Sequence, residues 1–115
     1  MARIIKKREI ALQLKDWNGH DVFLLKSTMR NHVTRFHLEE SFLIESIKRQ
    51  FSTPLVVIYN PGAVSEQAIY DIPVGNRKYL QINVKRKRFL RKDLIVTFYG
   101  VDVIPEGRVI WKPTK

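Results

Sequence analysis

The sequence predicts an α+β fold in which an N-terminal β-hairpin and one or two helices pack on one face of a curved, mainly antiparallel sheet. Three stretches indicate this. Asn-Gly at 18–19 separates two apolar runs, residues 29–51 contain no Gly or Pro, and residues 78–99 alternate apolar and polar side chains as a pair of strands. Because the later strands follow the helical stretch as a run, α+β architecture is favoured.

The first hairpin is predicted from alternation and from its turn. Ile10, Leu12 and Leu14 alternate with other residues, and an apolar run resumes at 22–25. Asn-Gly between such runs favours a two-residue type I′ turn, because glycine and asparagine tolerate positive φ. Residues 1–9 carry four basic side chains and are either a basic arm or the lead-in to the first strand.

Residues 29–51 are predicted to form one kinked helix or two short helices. Ser27 or Thr28 is the expected N-cap, because a hydroxyl oxygen accepts a hydrogen bond from the first helical N–H groups. Glu39 and Glu40 favour a second helix that starts about two residues before them, since acidic residues suit the first turn of a helix.

The remainder of the chain is predicted to form strands joined by Pro- or Gly-containing turns. The predicted strands cover residues 55–59, 67–72, 78–85, 94–99 and 108–112. In the 78–99 pair, Leu80, Ile82, Val84, Leu94, Val96 and Phe98 are expected to face the core. The other face then carries amide, amine, hydroxyl and phenol groups.

A basic turn is predicted between the last two of these long strands. It carries Lys85, Arg86, Lys87, Arg88, Arg91 and Lys92, with no acid until Asp93. A basic turn beside hydroxyl and amide groups suits RNA, which offers phosphates, hydroxyls and flat bases. The ordinary alternative is a solvated hairpin whose lysines discourage edge-to-edge aggregation.

Composition limits the classes of function. With 115 residues and 44% apolar side chains, one folded domain over 1–115 is expected. No apolar run is long enough to cross a bilayer, the N-terminus lacks a secretory h-region, and there is no cysteine, so a cytoplasmic protein without disulfides or Cys-ligated zinc is expected. The net charge of +10 indicates a polyanionic partner, with nucleic acid favoured over a membrane surface because the charge lies on strands and turns.

The helical stretch contains candidate catalytic residues. On a helix, His32 and Arg35 share a face with Glu39, and His37 lies close to the expected helix junction. Histidine and arginine together fit metal-independent RNA cleavage, in which a base takes the 2′-hydroxyl proton, a cation stabilises the phosphorane and an acid protonates the leaving oxygen. The alternative is that His32 and His37 cap, pack or face solvent. No zinc, serine-hydrolase or nucleotide-loop motif is present.

Three motifs resemble a known family. HVTRFHLE at 32–39 resembles the H-I-x-x-[RK]-H-P-E signature of phage-associated nuclease domains, which belong to the barnase/EndoU/colicin/RelE-like (BECR) superfamily of metal-independent endoribonucleases. YLQINVK at 79–85 resembles the family's Y-L-x-V-V-V-K, and IVTFY at 95–99 resembles its I-V-T-A-Y. The motifs follow the family's order over about residues 20–100, while Phe36 and Leu38 depart from the basic residue and the proline of the signature.

The resemblance implies a BECR-like fold and an activity that needs neither metal nor cofactor. The site residues that it implies are His32 and His37 as acid and base, Lys85 as a phosphate-binding cation, and Thr97 and Tyr99 as polar partners on the sheet. Independently of the resemblance, alternation puts Lys85, Thr97 and Tyr99 on the face away from the core and Arg86 on the core side.

Three functions are therefore compared. The first is an endoribonuclease that leaves a cyclic phosphate, acting as a toxin or a phage or mobile-element effector with an acidic antitoxin or immunity protein as partner. The second is a non-catalytic RNA- or DNA-binding module that uses the basic residues at 85–92. The third is an interaction protein whose charge only maintains solubility.

Overall fold

One seven-stranded sheet organises the molecule. The structure, a computed structural model, describes residues 6–35, 39–62, 65–89 and 92–114. Its elements are a 3-10 turn (Lys7–Glu9), β1 (Ile10–Lys15), β2 (Asp21–Leu25), α1 (Lys26–Arg35), α2 (Glu40–Gln50), β3 (Val56–Asn60), β4 (Ser65–Tyr70), β5 (Tyr79–Phe89), β6 (Lys92–Val101) and β7 (Arg108–Trp111). The strand order is β1-β2-β6-β5-β4-β3-β7, and only β2 and β6 pair in parallel. The α+β prediction is confirmed, with two helices beside an open, mixed sheet.

The N-terminal hairpin forms as predicted, but its loop is longer than a type I′ turn. The N–H of Asp16 donates to the carbonyl of His20, which leaves residues 17–19 as a three-residue loop. Gly19 has a φ of 75°, the left-handed conformation that such loops require. One carboxylate oxygen of Asp16 accepts the N–H groups of Asn18 and His20, each at 2.9 Å. This side-chain bonding favours the wider loop.

Two helices form, but α1 begins before its expected cap residues and α2 begins two to three residues after its predicted start. Helix α1 begins at Lys26, directly after β2, so Ser27 and Thr28 lie inside it and the predicted cap is wrong. The strand runs straight into the helix and leaves no separate cap residue. Glu39 is the N-cap of α2, and its carboxylate accepts the N–H of Phe42 at 2.6 Å.

The long pair β5 and β6 differs from the sequence expectation at its tip. Strand β5 continues to Phe89, which pairs with Lys92. Residues 86–88 therefore belong to a strand, and the prediction that they form a turn is wrong, whereas Lys85 lies in the strand as alternation predicts. The register between β5 and β6 shifts between Lys85 and Phe89, so the pairing of this basic segment is irregular.

A β-bulge in β6 changes which of its residues face the core. Asn83 pairs with Thr97, whereas Val84 pairs with Ile95, so Val96 is an extra residue on β6. Ile95 consequently joins the main core, whereas Leu94 packs on the opposite face with Phe23 and Leu25. The predicted core facing of Leu94 is wrong, because one inserted residue reverses the alternation.

The main core lies between the helices and one face of the sheet. It includes Leu43 and Ile47 of α2, Ile82 of β5 and Phe98 of β6, which are nearly fully buried. Trp17 of the first hairpin loop stacks on Trp111 of β7, with ring centroids 5.7 Å apart. Since β1 and β7 are the two edge strands, this contact requires a strongly curved sheet. No helix in the described ranges is both long enough and apolar enough to span a membrane.

Candidate functional site

The polar residues of the candidate site lie on the sheet face turned away from the helices, which we call the polar face. Residues directly opposite each other in antiparallel strands share a face. The polar members so placed are Gln67 of β4, Gln81, Asn83 and Lys85 of β5, and Thr97 and Tyr99 of β6. The three residues that alternation assigned to this side, Lys85, Thr97 and Tyr99, are among them.

Helix α1 brings His32 to the edge of this face. Strand β2 pairs with β6 only at Asp93 and Leu94, and α1 follows β2 without a loop. The helix therefore lies beside the next part of β6. There, Nε2 of His32 is 2.8 Å from Oγ1 of Thr97, and the imidazole stacks on the ring of Phe98 with centroids 4.8 Å apart.

The contact of the second ring nitrogen of His32 determines which of the two nitrogens carries the proton. Nδ1 lies 2.9 Å from the backbone carbonyl oxygen of Thr28, one helical turn earlier. A carbonyl can only accept, so Nδ1 is the protonated nitrogen. In neutral His32, Nε2 then carries the lone pair and accepts a hydrogen bond from the Thr97 hydroxyl. The helix thus holds a basic nitrogen in a fixed direction at the sheet edge.

A hydrogen-bonded network occupies the middle of the polar face. The side-chain nitrogen of Gln81 donates to Oδ1 of Asn83 and to the phenol oxygen of Tyr99, each at 2.9 Å. Gln81 and Asn83 are 3% and 8% exposed, although both are polar. Because buried amides need partners, this network holds Tyr99 and Asn83 in place next to Thr97.

Two of the predicted cations also lie on the polar face. Lys85 follows Asn83 by two positions and is half-buried, and no carboxylate in the described ranges pairs with its ammonium group. The ammonium of Lys92 lies over the ring of Phe23, 4.5 Å from its centroid. Lys85 and Lys92 therefore give this face positive charge.

Arg86 lies on the core side, as alternation predicts, and is surrounded by acids. Its guanidinium contacts Glu66 at 2.6 Å, Asp16 at 2.7 Å and Asp93 at 2.9 Å. Burial alone would lower the pKa of Arg86, but its hydrogen bonds to Glu66, Asp93 and Asp16 raise that pKa above the ordinary arginine value. The role that these contacts support is structural: Arg86 ties β5 to β4, β6 and the first hairpin loop.

For several predicted site residues the structure describes either nothing or only the backbone. His37 and Arg91 lie outside the described residues. Arg35 is placed by its backbone as the last residue of α1, and Lys87 and Arg88 are placed as residues of β5. Within the described ranges, no group of three or more His, Asp or Glu residues could hold a metal ion.

Sequence reasoning missed three contributors to the site. The carbonyl of Thr28 fixes the His32 ring, Phe98 supports its face, and Gln67 extends the polar face onto β4. The spacing of Thr28 and His32 by four residues is a signal for the first contact. The other two depend on strand pairing, which the sequence does not state.

Comparison of the chain with protein-family models, with curated proteins and with solved structures finds no match. The class of protein is therefore inferred from the geometry of the polar face.

Proposed function

We propose that this protein is a metal-independent endoribonuclease that cleaves RNA through attack of the 2′-hydroxyl and leaves a 2′,3′-cyclic phosphate. The observation that carries the proposal is the His32–Thr97 contact of 2.8 Å. It joins a basic ring nitrogen to a hydroxyl at the edge of a face that also bears Lys85, Asn83 and Tyr99.

In the proposed reaction, Nε2 of His32 takes the proton of the 2′-hydroxyl. The 2′-oxygen then forms a bond to phosphorus, and the bond from phosphorus to the 5′-oxygen breaks. A base with its lone pair fixed in direction suits this step, because proton transfer requires an aligned hydrogen bond. The Thr97 hydroxyl holds the ring until substrate binds and afterwards hydrogen-bonds a phosphate oxygen.

The negative charge that develops on the phosphorane needs a cation, and the leaving 5′-oxygen needs a proton. Lys85 is the proposed cation, since its strand places it two residues from Asn83 on the same face. Arg35, at the end of α1, is a second proposed cation. His37 is the proposed acid, which would protonate the 5′-oxygen. Tyr99 is proposed to hydrogen-bond the substrate backbone.

The proposed substrate and partners follow from charge. A net charge of +10 attracts RNA and would equally attract an acidic antitoxin or immunity protein that blocks the polar face. In this proposal the protein acts in the cytoplasm as a toxin or mobile-element effector. Kinship with the BECR nucleases is part of the same proposal and is supported by the three sequence motifs.

The deciding experiment is cleavage of total RNA by the purified chain in EDTA. We expect cyclic-phosphate ends, and no cleavage where the nucleotide before the scissile bond is 2′-deoxy. His32→Ala should lower the rate by about 10²–10⁴-fold, the contribution of a general base. His20→Ala is the matched control, because His20 is exposed on the first hairpin loop. Salt-sensitive RNA binding without cleavage would overturn the nuclease and favour a binding module.

A further inference from the structure

A groove lies where the start of β1 meets the two helices. Its volume is about 430 Å³, in the range of spaces that bind ligands in proteins. The floor is apolar and contains Ala11 of β1, Met29 of α1 and Ile44 of α2. Ala11 and Ile44 are only partly buried, although both pack against the main core. The groove therefore offers an apolar surface that another chain can reach.

The rim of this groove carries cations. Lys26 and Arg30 line it, and because they lie one helical turn apart, both side chains leave the same side of α1. The same two residues line a neighbouring hollow of about 350 Å³, which adds Arg8 and Glu9 from the 3-10 turn. Arg8, Lys26 and Arg30 are exposed, and no carboxylate in the described ranges forms a salt bridge with any of them. We call the apolar floor together with these three cations the basic groove.

The basic groove and the candidate catalytic histidine lie on different sides of α1. Arg30 precedes His32 by two residues, and at about 3.6 residues per turn their side chains lie about 160° apart around the helix axis. His32 contacts Thr97 of β6, whereas the groove is bounded by β1 and α2. A molecule in the groove therefore does not have to displace the contacts of His32 with the sheet.

The lining of the basic groove selects its occupant. The three cations attract carboxylates or phosphates, whereas a floor of alanine, methionine and isoleucine favours an apolar side chain. Bases stack on aromatic rings and are bound at their edges by side-chain amides, and the described residues that line the groove include neither group. A peptide segment in which carboxylates flank a leucine-like side chain matches both the cations and the floor.

We propose that the basic groove binds an acidic segment of a partner protein, with an apolar side chain of that segment on the floor and its carboxylates on Arg8, Lys26 and Arg30. The inference goes beyond the proposed function and does not depend on it, because none of the groove residues is assigned a part in RNA cleavage. A partner bound in this way is held on α1 by contacts separate from the polar face.

The test is a titration of the full, isotope-labelled chain with synthetic peptides, followed through the NMR signals of the Met29 and Ile44 methyl groups. The first peptide contains glutamate and serine with one central leucine. The second has serine in place of that leucine, and in the third glutamine replaces every glutamate. We expect the first peptide to shift both methyl signals and to bind about tenfold more tightly than either of the others, since it alone has both the apolar side chain and the carboxylates.

Two double variants locate the carboxylate contacts. Lys26→Gln with Arg30→Gln removes two cations of the groove and should weaken binding of the leucine peptide about tenfold. Lys78→Gln with Lys112→Gln is the matched control, because it makes the same charge change on exposed residues that do not line the groove. It should weaken binding by less than about twofold, since salt screens distant charges. Thermal unfolding checks the fold, and if a variant did not fold, the three peptides on the natural chain would still decide.

Three results would overturn the proposal: no shift of the Met29 and Ile44 methyl signals, equal affinity for the leucine and serine peptides, or equal weakening by the two double variants. A single-stranded RNA oligonucleotide is titrated in the same way. If it shifted these methyl signals with higher affinity than the leucine peptide, the groove would be assigned to nucleic acid instead, whereas weaker binding there supports the acidic segment.

Discussion

Nε2 of His32 lies 2.8 Å from Oγ1 of Thr97, although 65 positions separate the two residues in the chain. The contact exists because α1 continues directly from β2, a strand that is hydrogen-bonded to β6. A single junction without a loop thus sets the helix beside the strand. Backbone pairing therefore places the imidazole beside Thr97, and the contact with the Thr28 carbonyl orients the ring.

Removal of the Thr97 hydroxyl should impair cleavage more than folding. We expect Thr97→Val to lower the RNA cleavage rate by about 10-fold to 100-fold, because the His32 ring loses its hydrogen-bonded partner on the sheet. Thr97→Ser keeps the hydroxyl and should retain most of the rate. Initial rates on a defined oligonucleotide in EDTA, together with melting temperatures, check this. Equal activity in Thr97→Val and Thr97→Ser would exclude a role for the hydroxyl.

Lys85 should contribute to phosphate binding. For Lys85→Gln we expect weaker RNA binding and a slope of log K against log salt that is smaller by about one, since one phosphate contact is lost. Lys112→Gln makes the same charge change on an exposed residue after the edge strand β7. Fluorescence anisotropy at several salt concentrations measures both variants. The same slope for both variants would mean that only total charge matters.

Arg86 should matter for stability, in a manner that depends on pH. Arg86→Met leaves Asp16, Glu66 and Asp93 facing one another in a largely buried site, so we expect a loss of about 3–5 kcal/mol of unfolding free energy at pH 7. Without the guanidinium, the three carboxylates repel one another, and protonation relieves this repulsion. The folded variant then binds protons more readily than the unfolded chain. The difference in unfolding free energy between the natural chain and the variant should therefore shrink as the pH falls toward 4.

Urea unfolding at pH 7, 5.5 and 4 measures this difference in unfolding free energy. Lys85→Met is the control, because it changes the adjacent cation on the opposite face and should alter stability by less than about 0.5 kcal/mol. A difference in unfolding free energy that does not change with pH would contradict the proposed repulsion among the three carboxylates.

The pair Arg77–Asp102 should give a small stabilisation that acid removes. The hydrogen bond from Arg77 lowers the pKa of Asp102 below its usual 3.8. A lowered carboxyl pKa stabilises the fold above the unfolded-state pKa, and this stabilisation is lost as the pH falls through the folded-state pKa. Asp102→Asn should therefore lower the melting temperature slightly at pH 7 and have no effect near pH 2.

Glu106→Gln is the control for that pair, since Glu106 is an exposed acid in the same connection to β7. Scanning calorimetry at the two pH values compares the variants. An Asp102→Asn effect that persists at low pH would mean that the carboxylate charge is not its cause.

The sequence by itself determined much of the architecture. Asn-Gly specified the first hairpin, the acidic residues at 39–40 indicated a second helix, and alternation assigned Lys85, Thr97 and Tyr99 to one face. These features depend on local backbone preference and on side-chain period, which a linear sequence contains. The same local information predicted that Arg86 faces the core, but not that three acids surround it there.

Only the tertiary structure decided how those pieces meet. The bulge at Val96 reversed the facing of Leu94 and Ile95, because one extra residue inverts an alternation of period two. The contact of His32 with Thr97, and the polar face from Gln67 to Thr97, arise from the strand order β6-β5-β4 and from the parallel pairing of β2 with β6. Such pairings join residues far apart in the chain, and their free energy depends on the whole sheet, so no local pattern specifies them.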